Sequence, residues 1–301
     1  MSNMRDRDTR QPVTLMQTLE RLGRWQTPVL IAGLPGRMAA QVAEVMSRDS
    51  HFILHNVGLS SERHLGENLE FSGRRIGLTQ PGRWPVFFTE PRWPYDMRGG
   101  TIAVDFTTPE SALANTQFYT TRRLPFVMGT TSPHREQIEE LVRNSEVSAV
   151  IAPNMATEVV ALQDRLAQLA ETSPNTFQGW HMTIRESHQA AKKDVSGTAR
   201  AFQAQLERLG AIMDGEIESI RDPETQRQLR IQNLDGHAYH WITLTNPNGE
   251  TREFTTAIEG RQPYVEGTLM AVRFLARRMR EGSHGEVFTM SDVIRDGREV
   301  A

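Results

Sequence analysis

The chain has 301 residues, of which 38% are hydrophobic and 24% charged, and its formal net charge is −3 at pH 7. This balance is typical of a soluble globular protein with one large or two ordinary domains, and no apolar run approaches the roughly 18–20 residues of a membrane span. The net charge gives no general attraction to nucleic acid, and the absence of cysteine excludes disulfides, thiolate nucleophiles and cysteine-based metal sites.

Residues 1–26 form a polar and charged N-terminal extension. They lack the apolar stretch of a secretory signal, and Asp6 and Asp8 are unusual in a transit peptide. A short amphipathic helix is predicted near Leu15–Leu22. We expect this extension to be mobile or to pack against the rest of the protein.

Residues 28–152 alternate short apolar runs with helical stretches. Strands are predicted at 29–32, 52–57, 101–106, 125–128 and 147–151, and helices at 38–46, 109–120 and 133–144. Pro109 suits the first turn of its helix. Repeated β-α units predict an α/β fold with a mostly parallel, Rossmann-type sheet that binds a dinucleotide. Residues 72–100 interrupt the repeat, and their glycine, proline and tryptophan content predicts turns and short hairpin strands.

After Pro153 the pattern changes to that of an α+β domain. Helices are predicted at 155–171, 197–209 and 264–280, and strands at 180–185, 237–245 and 251–259. The last two strands flank Asn246-Pro247-Asn248-Gly249, a hairpin turn. We expect a dinucleotide-binding domain at 27–153 plus 264–301 and an inserted substrate-binding and oligomerisation domain at 154–263. Residues 287–294 would return to the first domain.

The loop after the first predicted strand contains Gly33-Leu34-Pro35-Gly36-Arg37-Met38. In a dinucleotide fold, backbone N–H groups and a helix N-terminus approach a pyrophosphate at this point. The full G-x-G-x-x-G pattern is absent, and a tight turn without a ligand would use the same glycines. The strand–loop–helix context favours cofactor binding.

The second predicted strand is followed by Ser60, Ser61, Glu62 and Arg63. NAD-selective sites usually place an acid here to hold the ribose hydroxyls. The two serines and Arg63 would instead suit the 2′-phosphate of NADPH, although Glu62 weakens this argument and an ordinary polar turn is the alternative. We expect NADPH, with NADH as the alternative, and no metal.

Two more loops, Gly129-Thr130-Thr131 and Ala152-Pro153-Asn154-Met155, follow later predicted strands. Open α/β sheets bind ligands at the carboxyl ends of their parallel strands. Each loop alone is typical of a plain connection. Their shared position favours a site for the nicotinamide.

The two lysines of the chain are neighbours, Lys192 and Lys193, among 34 basic residues that are otherwise arginine. Arginine does not release a proton in the working pH range, whereas a partly buried lysine can. The pair therefore indicates proton transfer. A solvated pair that reflects only chance and compositional bias is the alternative.

The segment Arg185–Ala199 is the stretch of the chain densest in candidate functional residues. His188 and Lys192 are four residues apart, so a helical turn would place them on one side, and in a loop the two alanines between them would leave room for a ligand. Ser196-Gly197-Thr198 begins a predicted helix, whose free N–H groups and hydroxyls could hold a carboxylate. An exposed charged loop followed by an ordinary helix cap is the alternative.

This segment resembles the signature of the dihydrodipicolinate reductases, H-x-x-x-K followed by D and S-G-T-A. It is most similar to the plant and cyanobacterial branch, where glutamine follows the histidine. Other family patterns occur in order along the chain. They are G-x-x-G-x-M at 33–38, D-F-T-x-P-E at 105–110, G-T-T at 129–131, A-P-N at 152–154 and R-x-x-(F/Y)-x-x-G at 261–267. The match covers nearly all of residues 28–296, and several independent motifs in one order make it specific.

The resemblance implies roles for individual residues. Lys192 would protonate the reduced substrate as general acid beside His188, an acid–base or orienting group, whereas Lys193 matches no fixed family position. The implied substrate-binding residues are Gln189, Ser196, Gly197, Thr198, Thr131 and Arg261. The cofactor-binding candidates are Gly33, Gly36, Arg37, Met38, Ser60, Arg63, Gly129, Thr131, Ala152 and Met155.

The implied reaction is hydride transfer from NADPH or NADH to a cyclic dicarboxylate imine, which gives tetrahydrodipicolinate on the diaminopimelate route to lysine. We expect a homo-oligomer, dimer or tetramer, in the cytoplasm or a plastid-like organelle, without nucleic-acid or membrane partners. Two rivals are a non-catalytic assembly or scaffold protein of the same fold and a reductase for a different imine or enal. The retained His188 and Lys192 argue against the first rival, and Arg261 with the helix-start cradle argues against a neutral substrate.

Overall fold

The computed structural model describes residues 26–83 and 100–299. The helix predicted near Leu15–Leu22 and the part of the predicted turn region at 84–99 lie outside the described residues.

The described residues form fourteen strands and eight α-helices. The strands are β1 (Thr27–Ala32), β2 (Phe52–Leu54), β3 (Val57–Leu59), β4 (Asn68–Phe71), β5 (Arg74–Thr79), β6 (Ile102–Asp105), β7 (Phe126–Met128), β8 (Ala149–Ile151), β9 (His181–His188), β10 (Ile212–Met213), β11 (Glu218–Ile220), β12 (His237–Thr245), β13 (Thr251–Glu259) and β14 (Val287–Phe288). The helices are α1 (Arg37–Arg48), α2 (Ala112–Thr121), α3 (Arg135–Arg143), α4 (Thr157–Thr172), α5 (Gly197–Arg208), α6 (Pro223–Gln228), α7 (Gln262–Arg280) and α8 (Met290–Glu299).

The first of two sheets has nine strands in the order β14-β8-β7-β6-β1-β3-β5-β4, with β2 beside β1. Its pairs are parallel except for the β4–β5 hairpin. Every residue of β1 and β6 is buried, as expected for parallel strands covered on both faces by helices. One face packs on α1, α7 and α8 and the other on α2 and α3. The predicted Rossmann-type sheet is confirmed.

The second sheet is built from the antiparallel strands β9, β12 and β13, with β10 and β11 parallel to β9 along its edge. Met182, Ile184, Ile242 and Leu244 point from one face of this sheet into a core shared with α4 and α5. After β13 the chain enters α7 and then β14, which pairs with β8 of the first sheet. The predicted α+β unit before the last long helix is therefore present, with the predicted bounds of β12 and β13.

Three predicted elements differ from the structure by more than a shift of one or two residues at an end. β9 continues to His188 because Glu186 and Ser187 are buried and pair with β11 and β12. The predicted strand at 52–57 is two short strands, β2 and β3, which are separated by His55 and Asn56 and pair in turn with β1. The helix predicted from Pro109 begins at Ala112, after a turn in which the Ser111 N–H donates to the Thr108 carbonyl.

Within 26–83 and 100–299, no helix combines the length and the apolar character needed to cross a bilayer.

Candidate active site

Two neighbouring cavities lie at the carboxyl ends of the parallel strands. One, of about 810 Å³, lies over the β1–α1 loop and is called the cofactor cleft here. The other, of about 730 Å³, lies between these strand ends and the second sheet and is called the substrate cavity. Arg37 lines both, so the two cavities adjoin at the first residue of α1.

The β1–α1 loop has the form of an anion-binding turn. Gly33 has a φ of +101°, and a Cβ there would lie 2.3 Å from the carbonyl oxygen of Phe106, so a side chain cannot be accommodated. A Cβ on Gly36 would lie 2.6 Å from the Gly33 carbonyl oxygen. Helix α1 follows without a side-chain cap, which leaves first-turn N–H groups beside the cleft for a ligand phosphate.

The far wall of the cofactor cleft contains Ser60 and Ser61, whereas Arg63 is exposed and does not line it. The Ser60 hydroxyl donates a hydrogen bond to the Leu34 carbonyl and so joins this wall to the glycine loop. His64 and Gln80 also face the cleft. None of the described residues that line the cleft is acidic.

A buried carboxylate fixes the strand ends between the two cavities. Asp105, at the end of β6, is 0% exposed and accepts hydrogen bonds from the hydroxyls of Thr107 and Thr130 at 2.7 and 2.9 Å. It also accepts from the Asn115 amide and the Tyr119 hydroxyl of α2. Burial raises the pKa of Tyr119 well above 10, and the Asp105 charge adds to this effect. The loops after β6 and β7 are thus held to one helix.

The substrate cavity brings together all eight predicted catalytic and substrate-binding residues. Its wall includes His188, Lys192, Gln189, Ser196, Gly197, Thr198, Thr131 and Arg261. They come from four separate parts of the chain: the loop after β7, the end of β9 with its following turn, the start of α5 and the residue before α7. His188 ends a strand and Lys192 lies in the turn after it, so the loop alternative holds and the helical turn does not.

The start of α5 provides hydrogen-bond donors to the substrate cavity. The Ser196 hydroxyl caps the helix by accepting from the Ala199 N–H at 3.0 Å. In the described parts of the chain, the N–H groups of Gly197 and Thr198 have no protein acceptor, which is the usual state of a helix start that binds an anion. The Thr198 hydroxyl lies 3.5 Å from the Asn154 amide, at the end of β8.

A buried carboxylate orients the histidine of the site. The Glu186 side chain is 0% exposed and contacts His188 Nδ1, the Ser219 hydroxyl and the Arg221 guanidinium. Burial alone would raise the pKa of Glu186, but the hydrogen bonds from His188, Arg221 and Ser219 outweigh it and lower the pKa to about 2. The ionised carboxylate therefore holds a proton on Nδ1 of His188 and leaves Nε2 for the cavity.

A second histidine lies beneath the helix start. His240, in β12, is 1% exposed, and its Nε2 and Nδ1 lie 3.0 Å and 2.9 Å from the hydroxyls of Ser196 and Thr256. Its ring meets His188 edge-on at a centroid distance of 5.6 Å. Burial lowers the pKa of His240 to about 4. A neutral His240 can donate to Ser196 and leave that hydroxyl free to donate to a ligand.

Protonation of His240 at low pH should lower the stability of the fold. Its pKa is about 4 in the folded protein and ordinarily 6.5, so the unfolded chain binds more protons between these values and stability falls as the pH is lowered through this window. We expect this group to cost about 2 kcal/mol between about pH 7.5 and pH 5. Urea unfolding at both pH values measures the loss. His240→Gln should be less stable at the higher pH but should lose less on acidification, and equal losses would contradict the assignment.

Five predicted cofactor residues lie outside the walls of both cavities: Met38, Arg63, Gly129, Ala152 and Met155. Ala152 and Met155 are 3% and 2% exposed and belong to the core. The glycine of the R-x-x-(F/Y)-x-x-G pattern explains the position of Met155, because a Cβ on Gly267 would lie 1.8 Å from the Met155 carbonyl oxygen. This contact packs α7 against the loop after β8.

Four polar or aromatic residues of the site were not predicted: Glu186 as a carboxylate partner, His240, Asn154 and Tyr264, of which the last two line the substrate cavity. The available signal was alternation, since Glu186 and His240 occupy the inward-facing positions next to the apolar Ile184 and Ile242 of their strands.

The parallel sheet is covered by helices on both faces and carries an anion-binding turn, and the adjoining cavity has acid–base and anion-binding side chains. Together these features define a nicotinamide-dependent oxidoreductase. Among the described residues, no group of three or more potential ligands is placed to hold a metal ion. The chain belongs to the dihydrodipicolinate reductase family: the family's N-terminal model matches residues 27–155 and its C-terminal model matches residues 159–294. The predicted family and enzyme class are confirmed.

Plant enzymes are among the similar proteins. The chain is 33% identical over 291 residues to a probable chloroplastic 4-hydroxy-tetrahydrodipicolinate reductase 2 of Oryza sativa subsp. japonica, covering 95% of this chain and 88% of that one. It is 32% identical over 275 residues to the chloroplastic reductase 1 of Arabidopsis thaliana, covering 89% and 78%. A dipicolinate-bound dihydrodipicolinate reductase from Paenisporosarcina sp. shares the fold with a TM-score of 0.62 at 17% identity, covering 88% and 97%.

Proposed function

We propose that this protein is a 4-hydroxy-tetrahydrodipicolinate reductase, which reduces a cyclic dicarboxylate imine to tetrahydrodipicolinate on the diaminopimelate route to lysine. One observation carries the proposal: Lys192, His188, Arg261 and the N-terminus of α5 line a single cavity that adjoins the cofactor cleft at Arg37. The names of the plant relatives support the same substrate.

The nicotinamide cofactor supplies the hydride when it is bound. The residues of the cofactor cleft fit a dinucleotide, because the tight turn at Gly33 lets a ligand approach the backbone and the uncapped start of α1 provides donors for a pyrophosphate. Pro35 has no N–H and the Gly36 N–H donates to the Gly33 carbonyl at 2.8 Å, so these donors come from the first turn of α1. Arg37 adds a fixed positive charge at the junction of the two cavities.

The substrate carboxylates are held by two groups of donors. The N–H groups and hydroxyls at Ser196–Thr198 bind one carboxylate, with the Ser196 hydroxyl made available by the contact from His240. Arg261, Gln189 and Thr131 serve the rest of the substrate from the other walls of the cavity. Fixed donors of this kind also stabilise the charge that develops during reduction.

Lys192 completes the reaction by giving a proton. Hydride addition to a conjugated imine leaves an anionic centre, which must be protonated for the product to form. A lysine ammonium can donate this proton and an arginine cannot. His188, with its Nδ1 proton held by Glu186, presents Nε2 to the same cavity and orients the substrate or exchanges a proton with it.

A coupled assay with enzymatically made substrate tests the proposal. We expect oxidation of both cofactors with a preference for NADPH, because no acidic side chain lines the described part of the cleft where a ribose 2′-phosphate would lie. Ser61→Asp should move the preference toward NADH without altering the reaction at the imine. Folded protein that oxidises neither cofactor would favour the rival function, a non-catalytic assembly or scaffold protein.

We also propose that the chain is divided into two domains and assembles into a homo-oligomer. We place the dinucleotide-binding domain at 27–153 plus 264–301 and the substrate-binding domain at 154–263. The outer face of the second sheet carries Tyr239 stacked on Trp241, with Arg185 over the indole ring, and such a face suits contact between subunits of a dimer or tetramer. The chloroplastic relatives support a plastid-like or cytoplasmic location.

A further inference from the structure

One guanidinium, that of Arg221, contacts both the loop that carries Lys192 and the carboxylate that orients His188. Arg221 follows β11, 29 residues after Lys192, and donates from Nε to the Lys192 carbonyl at 2.9 Å. Its Nη2 donates to Glu186 at 2.5 Å and to the Asp194 carbonyl at 3.3 Å. The remaining Nη1 donates to the Ile220 carbonyl at 3.0 Å.

The loop at 189–195 has few other attachments. Its own backbone contributes one bond, from the Lys192 N–H to the Gln189 carbonyl at 2.9 Å. Among the described residues, Arg221 is the only residue whose side chain hydrogen-bonds to the backbone of this loop. The position of the Lys192 backbone therefore depends on the Arg221 side chain.

The same guanidinium acts on His188 through Glu186. One Glu186 oxygen accepts from Arg221 and Ser219, and the other contacts Nδ1 of His188. The carboxylate is fully buried, and Arg221 is itself only 19% exposed by side chain. Removing the guanidinium would leave the Glu186 charge without its cationic partner and free to turn away from His188.

We propose that Arg221 is a positioning residue, which sets the proton donor Lys192 and the histidine His188 relative to each other in the substrate cavity. This role rests on the proposed reductase function. Arginine is required because its planar fork reaches four acceptors in fixed directions, whereas a lysine ammonium at the same place is a single point with three donors.

Arg221→Lys tests this role while keeping the positive charge. We expect kcat to fall roughly 100-fold, as for a misplaced catalytic group, with the Kd for NADPH and the KM for the imine little changed. The solvent deuterium isotope effect on kcat should rise, because proton donation by Lys192 becomes slower than hydride transfer. If Arg221 only stabilised the fold, Arg221→Lys would lower the amount of active protein but would leave the isotope effect unchanged.

A second readout does not depend on activity. The chain has two lysines, so selective ¹³Cε-lysine labelling gives one signal for Lys192 and one for Lys193. In Arg221→Gln, the Lys192 signal should shift and broaden while the Lys193 signal stays in place. If the wild-type protein shows no turnover, the proposed reductase function is wrong. The response of the Lys192 signal to Arg221→Gln would still show whether Arg221 positions Lys192.

Arg143→Lys is the matched control. Arg143, in α3, pairs with Glu139 at 2.7 Å, is exposed and lines neither cavity. This variant should keep kcat within about threefold. The proposal is overturned if Arg221→Lys behaves like the control, if the Lys192 signal is unchanged in Arg221→Gln, or if neither Arg221 variant folds.

Discussion

Replacing Lys192 with alanine is expected to lower kcat by about 100- to 10,000-fold, the usual range for loss of a positioned general acid. The Kd for NADPH should not change, because Lys192 lines the substrate cavity and not the cofactor cleft. Steady-state kinetics with the imine and fluorescence titration with NADPH measure the two quantities separately.

Lys193 provides an internal control for this result. It is exposed and lines neither cavity, whereas its neighbour Lys192 is half-buried in the cavity wall. Lys193→Ala should therefore change kcat by less than about threefold. A greater loss in Lys193→Ala than in Lys192→Ala would show that the lysine has been assigned one position out of register.

Lys192→Arg separates the proton from the charge. Arginine keeps the positive field in the cavity but does not release a proton in the working pH range. If Lys192 acts as an acid, the arginine variant should be nearly as slow as the alanine variant. A nearly active arginine variant would mean that Lys192 only stabilises negative charge.

The parts of the fold that follow from local pattern were predictable from the sequence. The hairpin β12–β13 has the predicted bounds because strict alternation meets an Asn-Pro-Asn-Gly turn, two signals that depend only on neighbouring residues. The parallel sheet was predictable for a similar reason, since its buried strands are continuous apolar runs separated by helical periods.

The contacts of the site were less predictable because they join distant residues. Glu186 and Ser187 look like loop residues in sequence, and only pairing with β11 and β12 makes them part of a strand. Arg221 lies between Ile220 and Asp222 in a stretch of mostly polar residues, and nothing local connects it to Lys192. By contrast, the eight residues identified through the family patterns line one cavity. Those patterns are typical of a fold in which these distant residues already lie together.

Replacing Arg261 with leucine is expected to lower kcat/KM for the imine roughly a hundredfold, with most of the change in KM. Arg261 precedes α7 and lines the substrate cavity, and none of the described acidic side chains pairs with its guanidinium. Two hydrogen bonds from this guanidinium to a ligand carboxylate would together contribute about 3 kcal/mol, which corresponds to this factor. Arg208→Leu, the same change of charge at the far end of α5, should leave kcat/KM within about threefold.

The choice between a dicarboxylate substrate and a neutral one follows from a comparison of two inhibitors. A planar pyridine dicarboxylate should bind the wild-type protein much more tightly than the matching pyridine monocarboxylate, because the start of α5 and Arg261 can each take one carboxylate. In Arg261→Leu the two inhibition constants should converge, since only the helix-start donors remain. If the wild-type protein does not distinguish them, Arg261 does not hold a second carboxylate, and a reductase for a different imine or enal becomes the better description of this cavity.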